Sequence, residues 1–83
     1  MGVKDVVEVL AKALADKPDD VRVVETQHKG TTLVELYVAQ MDAGKMIGRQ
    51  GRTVAALRTL ASTAGEKEGK TVTLEIRDTP FKG

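Results

Sequence analysis

Residues 47–53 of the chain read Ile47-Gly48-Arg49-Gln50-Gly51-Arg52-Thr53. Apolar residues recur at helical spacing on both sides of this stretch, so its two glycines are expected to interrupt two helices. Two long polar side chains lie between the glycines, and the N–H groups that begin the second helix have no partners within that helix. Because unpaired N–H groups in a positive local field can seat a phosphate, the stretch is interpreted as a clamp for a nucleic-acid backbone.

The glycine spacing alone is weak evidence for this clamp. With 8 glycines in 83 residues, a G-x-x-G is expected about 0.7 times by chance. The stronger evidence for the clamp is its context, a predicted helix before it and a predicted helix and strand after it, together with the basic residues around it. The alternative is an ordinary turn between two helices, in which Arg49 is merely solvated.

The charges are distributed unevenly along the chain. The net charge is only +1, but no acidic residue lies between Asp42 and Glu66, where four basic residues do: Lys45, Arg49, Arg52 and Arg58. All 12 acidic residues lie elsewhere, with the remaining 9 of the 13 basic ones. Such a local basic patch favours one docking site for a polyanion, although a basic helix face can also be simply solvated.

Composition narrows the class of protein. Eighty-three residues suffice for one domain with one small core. No apolar run is long enough to span a membrane, and the first residues lack the apolar region of a secretion signal, so a cytoplasmic protein is expected. The chain has no cysteine and one histidine, His28, which argues against disulfides, thiol catalysis and a histidine metal site.

Periodicity and turn residues predict the other elements. In chain order they are a helix over 3–16, strands over 21–28 and 32–38, helices over 43–47 and 52–67, and a strand over 71–77. Asp42 is expected to N-cap the short helix. The break between the first two strands is Lys29-Gly30-Thr31. Strand alternation turns Val34, Leu36 and Val38 towards the core and Tyr37 away from it.

The predicted fold is therefore α+β, with element order α-β-β-α-α-β and a three-stranded sheet covered by helices on one face. The expected apolar stripe of the first helix is Val3, Val6, Val7, Leu10 and Leu14. That of the long helix is Val54, Leu57, Leu60, Ala61 and Ala64, and its small residues Ala55 and Ala56 are expected to allow close backbone approach. Residues 1–83 are interpreted as one domain, with a core over about 3–78 and a tail over 79–83.

No motif indicates an enzyme or a bound cofactor. The carboxylates are scattered, and the glycines fit neither the P-loop spacing nor the G-x-G-x-x-G of dinucleotide-binding folds. Tyr37 and Phe81 are too few to form the aromatic stacking surface of other RNA-binding modules.

With its elements in place, the chain closely resembles a bacterial KH domain of the type II arrangement. It is similar to the small stand-alone KH RNA-binding proteins of the KhpA type. The matching stretches are 7–14, 44–53, 56–60, 67–70 and 72–76, and the resemblance covers about residues 3–78.

The resemblance implies binding of single-stranded RNA, with about four nucleotides gripped at Gly48–Gly51. Bases would lie in an aliphatic groove between the two helices and the neighbouring strand. The implied RNA-binding residues are Lys45, Ile47, Gly48, Arg49, Gln50, Gly51, Arg52, Thr53, Val54 and Arg58. Ile47, Val54 and Leu57 are the candidates for the groove floor. Each could instead belong to the core, and for Leu57 the core is the favoured interpretation. A role as an RNA chaperone or post-transcriptional regulator would follow.

A protein–protein module is the main alternative. The same glycine-containing surface could serve as a dimer or adaptor interface, because glycines permit close approach of another chain. The resemblance also implies self-association and pairing with a second KH-containing protein. An interface over Gly48–Gly51 would compete with RNA.

Overall fold

A computed structural model describes residues 2–48 and 51–78 of the protein. These residues form α1 (Val3–Leu14), a 3₁₀ turn (Pro18–Asp20), β1 (Arg22–His28), β2 (Thr31–Val38), α2 (Gln40–Ile47), α3 (Gly51–Lys67) and β3 (Thr71–Asp78). The predicted order α-β-β-α-α-β is confirmed. The predicted tail over 79–83 lies outside the described residues.

The strands form one sheet in the order β1-β2-β3. A two-residue turn joins β1 to β2, which are antiparallel, whereas α2 and α3 form the crossover that makes β2 and β3 parallel. Lys29 and Gly30 occupy the turn with φ of 47° and 82°, the pair of positive angles that suits the twist of a short hairpin. Thr31, which was predicted to belong to the break, is the first residue of β2.

The core lies between one face of the sheet and the helices. Thr32, Val34, Leu36 and Val38 alternate as buried residues along β2, which confirms the predicted inward face. Burying each such aliphatic side chain contributes about 1.5–3 kcal/mol. From the helices, Val3, Val7 and Ala11 of α1 and Val54, Leu57 and Ala61 of α3 complete the core.

The two helical stripes differ from the prediction at their edges. Leu14 and Leu60 were expected in the core, but their exposed fractions are 48% and 44%. Ala11, a smaller residue, is fully buried on α1 instead. Periodicity gives the direction of a helical face, whereas its width depends on how closely the neighbouring element packs.

Asp42 has a different role from the predicted N-cap. Helix α2 begins at Gln40, so Asp42 lies inside its first turn, where it is 1% exposed. Its carboxylate accepts hydrogen bonds from the backbone N–H groups of Asp16 (2.9 Å) and Lys17 (3.0 Å). These N–H groups follow the last turn of α1, which explains why that helix ends at Leu14 rather than at residue 16. Asp42 thus joins the end of α1 to α2.

The close approach of α3 to the sheet occurs at Gly65 rather than at Ala55 and Ala56, which are both exposed. A Cβ atom on Gly65 would overlap a side-chain methyl of Val72 and would lie 3.1 Å from the carbonyl oxygen of Lys70. The end of α3 therefore packs on β3 through the backbone of Gly65, with no side chain of this residue between the two elements. This contact brings the C-terminal part of α3 close to β3.

Candidate functional site

The site begins where α2 ends at Gly48. The N–H of Gly48 donates to the carbonyl oxygen of Gly44 (2.8 Å), and a Cβ atom at residue 48 would lie 2.8 Å from that same oxygen. A side chain here would displace the backbone, so the first glycine of the predicted clamp is required by the way the helix ends. Helix α3 starts at Gly51. The two residues between them in the predicted clamp, Arg49 and Gln50, lie outside the described residues.

A groove runs between α2, α3 and β3 beside this loop. Its narrower part is a hollow of about 250 Å³ lined by Ile47, Val54, Arg58, Glu75 and Ile76. A larger hollow of about 720 Å³ is bordered by Tyr37, Gln40, Ala43, Gly44, Ile47, Gly48, Ile76, Arg77 and Asp78. Both are bordered by Ile47 and Ile76, so they adjoin and form one groove. Three of the residues predicted for the site, Ile47, Val54 and Arg58, meet in its narrower part.

The groove has an aliphatic floor. Ile47 is 58% exposed although it is a large apolar residue, while Val54 is 7% exposed and belongs also to the core. Ile76 of β3 is half-buried opposite them. Aliphatic surface at this depth can contact the faces of flat rings without aromatic partners.

Polar groups border this floor on the side of the strand. The guanidinium Nε of Arg58 donates to the carbonyl oxygen of Leu74 (3.4 Å), which holds this long side chain towards β3. Glu75 lines the same hollow. In the larger hollow, Nε of Arg77 donates to the carboxylate of Glu35 (2.8 Å). The groove therefore presents hydrogen-bond donors and acceptors above an apolar floor.

Lys45 does not border either hollow, and its charge is compensated. Its ammonium group lies 2.6 Å from the carboxylate of Asp16, and this hydrogen bond raises the pKa of Lys45, with the charges of Asp16 and Asp42 acting in the same direction. The lysine stays protonated at neutral pH. Asp16 and Asp42 lie outside residues 43–65, the stretch that contains four basic and no acidic residues. In the folded protein the net positive charge near this stretch is therefore lower than its own sequence indicates.

Arg52 and Thr53 lie on another side of α3. They border a hollow of about 240 Å³ between α1 and α3, together with Leu10, Leu14, Ala56, Leu57 and Leu60. The structure thus separates them from Ile47, Val54 and Arg58. Leu57 is 1% exposed and borders this hollow between α1 and α3, so it belongs to the core and not to the groove.

Sequence reasoning did not include Gln40 and Gly44 among the site residues. The signal was available, because these two residues and Gly48 recur every four positions and therefore lie along one side of α2. Tyr37 was placed on the outer sheet face by alternation, and the structure puts it at the border of the larger hollow near the end of β2.

The described residues contain no group of three histidine or acidic side chains that could hold a metal ion. Among them, no helix combines the length and the apolar character needed to cross a membrane.

The three-stranded mixed sheet, with α2 and α3 between its two parallel strands, agrees with the fold of a KH domain. The family model described as "KhpA/KhpB, KH domain" matches residues 4–76. The chain is 49% identical over 73 residues to the RNA-binding protein KhpA of Aquifex aeolicus (strain VF5), an alignment that covers 88% of this chain and 92% of that one. It is 47% identical over 73 residues to the RNA-binding protein KhpA of Clostridium perfringens (strain 13 / Type A), with coverages of 88% and 97%.

A further relative, the RNA-binding protein KhpA of Chlamydia trachomatis serovar D (strain ATCC VR-885 / DSM 19411 / UW-3/Cx), is 40% identical over 75 residues, covering 90% of this chain and 96% of its own. These matches span nearly the full length of the relatives. The chain belongs to the KhpA/KhpB KH-domain family, which confirms the resemblance drawn from the sequence.

Proposed function

We propose that this protein binds single-stranded RNA through the groove between α2, α3 and β3, with about four nucleotides gripped at the loop Gly48–Gly51. The observation that carries the proposal is the exposed aliphatic floor at Ile47, which adjoins a helix end where no side chain fits at Gly48. The bases of RNA pack on apolar surface, and the phosphates of the RNA backbone must come close to N–H groups of the protein. The names of the relatives, RNA-binding protein KhpA, support the same ligand.

In this proposal the parts of the site have different tasks. Arg49 and Gln50 donate to phosphate oxygens, and the free N–H groups at the start of α3 add neutral donors. Ile47 and Val54 contact base faces, and Arg58 contacts base edges or phosphates over β3. Lys45, Arg52 and Thr53 lie outside the groove and act on the RNA backbone at its margins.

The cellular role proposed is that of a cytoplasmic RNA chaperone or post-transcriptional regulator, with residues 1–83 acting as a single KH domain. One groove that holds about four nucleotides carries little sequence information, so selectivity would come from a second copy or from pairing with another KH-containing protein. The proposal contains no catalytic step, since the family is a KH-domain family and not an enzyme family.

A protein–protein module is the second candidate function. Its support is the exposed apolar side chain beside the loop, Ile47, which is 58% exposed. An interface between copies that covered Gly48–Gly51 would exclude RNA, so RNA and dimerisation would compete.

The test is a titration of fluorescent single-stranded RNA of about ten nucleotides, followed by anisotropy at low and moderate salt. The variant Arg49→Asp/Gln50→Asp places negative charge against the RNA backbone and is expected to abolish salt-sensitive binding while the protein remains folded. Lys4→Asp/Ala13→Asp changes the net charge equally on exposed positions of α1 and serves as the control. Unchanged binding by the Arg49/Gln50 variant would rule out the clamp, and no binding by the wild type would favour the second candidate.

A further inference from the structure

The charges beside β3 do not favour an RNA phosphate. Glu75 lines the narrower hollow together with Arg58, and Asp78 borders the larger hollow together with Arg77. Arg77 is already bound by a further acid, Glu35, at 2.8 Å. A carboxylate repels the phosphates of a nucleic acid, so acids beside a groove for RNA lower its affinity unless they bind another part of the ligand.

The carboxylate of Glu75 is half-buried, and no group in the described part of the chain neutralises it. None of the hydrogen bonds or ion pairs within residues 2–48 and 51–78 involves this carboxylate. Its neighbour in register on β2 is Glu35, and two like charges side by side on a sheet are destabilising. Arg58 donates through Nε to the carbonyl oxygen of Leu74 instead. The fold therefore gives no reason for an acid at residue 75.

The position of Glu75 gives it access to the edge of a base. Strand β3 lies at the edge of the sheet, and Glu75 and Ile76 both line the narrower hollow although consecutive residues of a strand point to opposite faces. The hollow therefore spans the free edge of β3. A base whose face lies on Ile47, Val54 and Ile76 can place one edge beside the Glu75 carboxylate and the Arg58 guanidinium, since all five residues line this one hollow.

The chemistry of a carboxylate selects among the bases. It accepts hydrogen bonds only, and its two oxygens bind best to two adjacent N–H groups, as they do in arginine–carboxylate pairs. Guanine has this pair of donors, N1–H and the 2-amino group, next to the acceptor O6. Adenine and cytosine offer an amino group beside a ring nitrogen that accepts, and the N3–H of uracil lies between two carbonyl oxygens that a carboxylate repels.

We infer that Glu75 is a specificity-determining residue that selects guanine in the groove, with Arg58 donating to O6 of the same base. The inference rests on the proposed function and deepens it, because it names the base that the groove prefers. It also explains the two charges that line one hollow without pairing: the acid binds the donors of the guanine edge, and the guanidinium binds its acceptor.

The test compares uridine-rich RNA strands of about ten nucleotides that differ at one central base, by anisotropy. Wild type is expected to bind the strand with guanine about fivefold or more tightly than the strand with uracil, in the range of one bidentate base contact. Inosine in place of guanine lacks the 2-amino group and should remove most of this gain. Glu75→Gln, which keeps the size of the side chain but removes one acceptor and the charge, should abolish both differences and bind the all-uracil strand more tightly.

The matched control is Glu66→Gln, which removes the same charge at an exposed position of α3 that borders none of the hollows described above. It should keep both the preference for guanine and the loss with inosine. Equal binding of the four strands by wild type, or a preference for another base, would overturn the inference and leave the proposed function standing. A guanine preference that survives in Glu75→Gln, or that wild type retains for inosine, would also overturn it.

The inosine comparison uses wild type alone, so the inference stays testable even if Glu75→Gln does not fold. A wild type that binds none of the strands would remove the proposed function, and this inference with it.

Discussion

At the scale of single residues, two charged side chains act through partners that are distant in the sequence. Asp42 binds backbone N–H groups 26 and 25 residues away, and Lys45 pairs with an acid 29 residues away. Both contacts converge on the segment that follows α1. They join this segment to α2, the helix that carries Gly48 at its end.

The Asp42 carboxylate is expected to be one of the most sensitive single positions for stability. Asp42→Ala leaves two part-buried N–H groups without acceptors and is expected to lower the free energy of unfolding by about 2–3 kcal/mol. Urea denaturation measures the change. Asp20→Ala, which removes an exposed carboxylate of the neighbouring 3₁₀ turn, is the control and should change stability by less than about 0.5 kcal/mol. A similar small change for Asp42→Ala would show that water replaces the carboxylate.

The pairing of Lys45 with Asp16 is expected to reduce the contribution of this lysine to RNA binding. Asp16→Asn removes the paired carboxylate and leaves the ammonium available to a phosphate. RNA binding should then strengthen, and the slope of log K against log salt should steepen by up to about 0.7, the value for one added contact to a single strand. The measurement is anisotropy over a series of salt concentrations.

The matched control for this change is Glu66→Gln, which alters the net charge equally near the far end of α3. It should leave the slope unchanged. If both variants steepen the slope equally, the effect comes from net charge, and the pairing of Lys45 has no particular part in it.

At the scale of elements, the crossing of α3 over β3 decides the shape of the groove. The two elements touch through the backbone at Gly65, where a side chain would overlap Val72. The Gly65 carbonyl also accepts hydrogen bonds from the N–H groups of Glu68 (2.9 Å) and Lys70 (2.8 Å), which terminate the helix. Gly65 therefore both packs against β3 and accepts the hydrogen bonds that end α3.

Gly65→Ala is expected to destabilise the protein. Alanine gains about 1 kcal/mol in helix propensity, but forcing α3 away from β3 costs about 1–3 kcal/mol. A net loss of up to about 2 kcal/mol is expected from urea denaturation. Val72→Ala removes the overlapping methyl groups, so Gly65→Ala should cost less, or even stabilise, in a Val72→Ala background. Additive effects of the two substitutions would show that their side chains do not meet.

At the scale of the whole molecule, opposite sides of α3 have different surfaces. The groove between α2, α3 and β3 contains the predicted residues Ile47, Val54 and Arg58, whereas Arg52 and Thr53 border an apolar hollow against α1. The residues predicted for the site therefore fall on two separate surfaces of α3.

Much of the fold could be predicted from local patterns. The order of helices and strands, the inward face of β2 and the glycine pair at the start of α3 follow from residues that interact within one or two turns of chain. The predicted boundaries were wrong where a distant group intervened, as at Asp42, or where packing set the width of a face, as at Leu14 and Leu60. The candidate site divides in the same way: the end of α2 at Gly48 was expected from the motif, whereas Gln40 and Gly44, which border the same groove, were not. Binding at the loop stays a prediction.

The family, the fold class and the position of the glycine pair are properties of the sequence, because backbone freedom and apolar periodicity act over a few residues. The charge around Lys45, the partners of Asp42 and the separation of Arg52 from Arg58 exist only in the tertiary structure. They depend on contacts between segments that lie far apart along the chain. Only packing brings those segments within hydrogen-bonding distance.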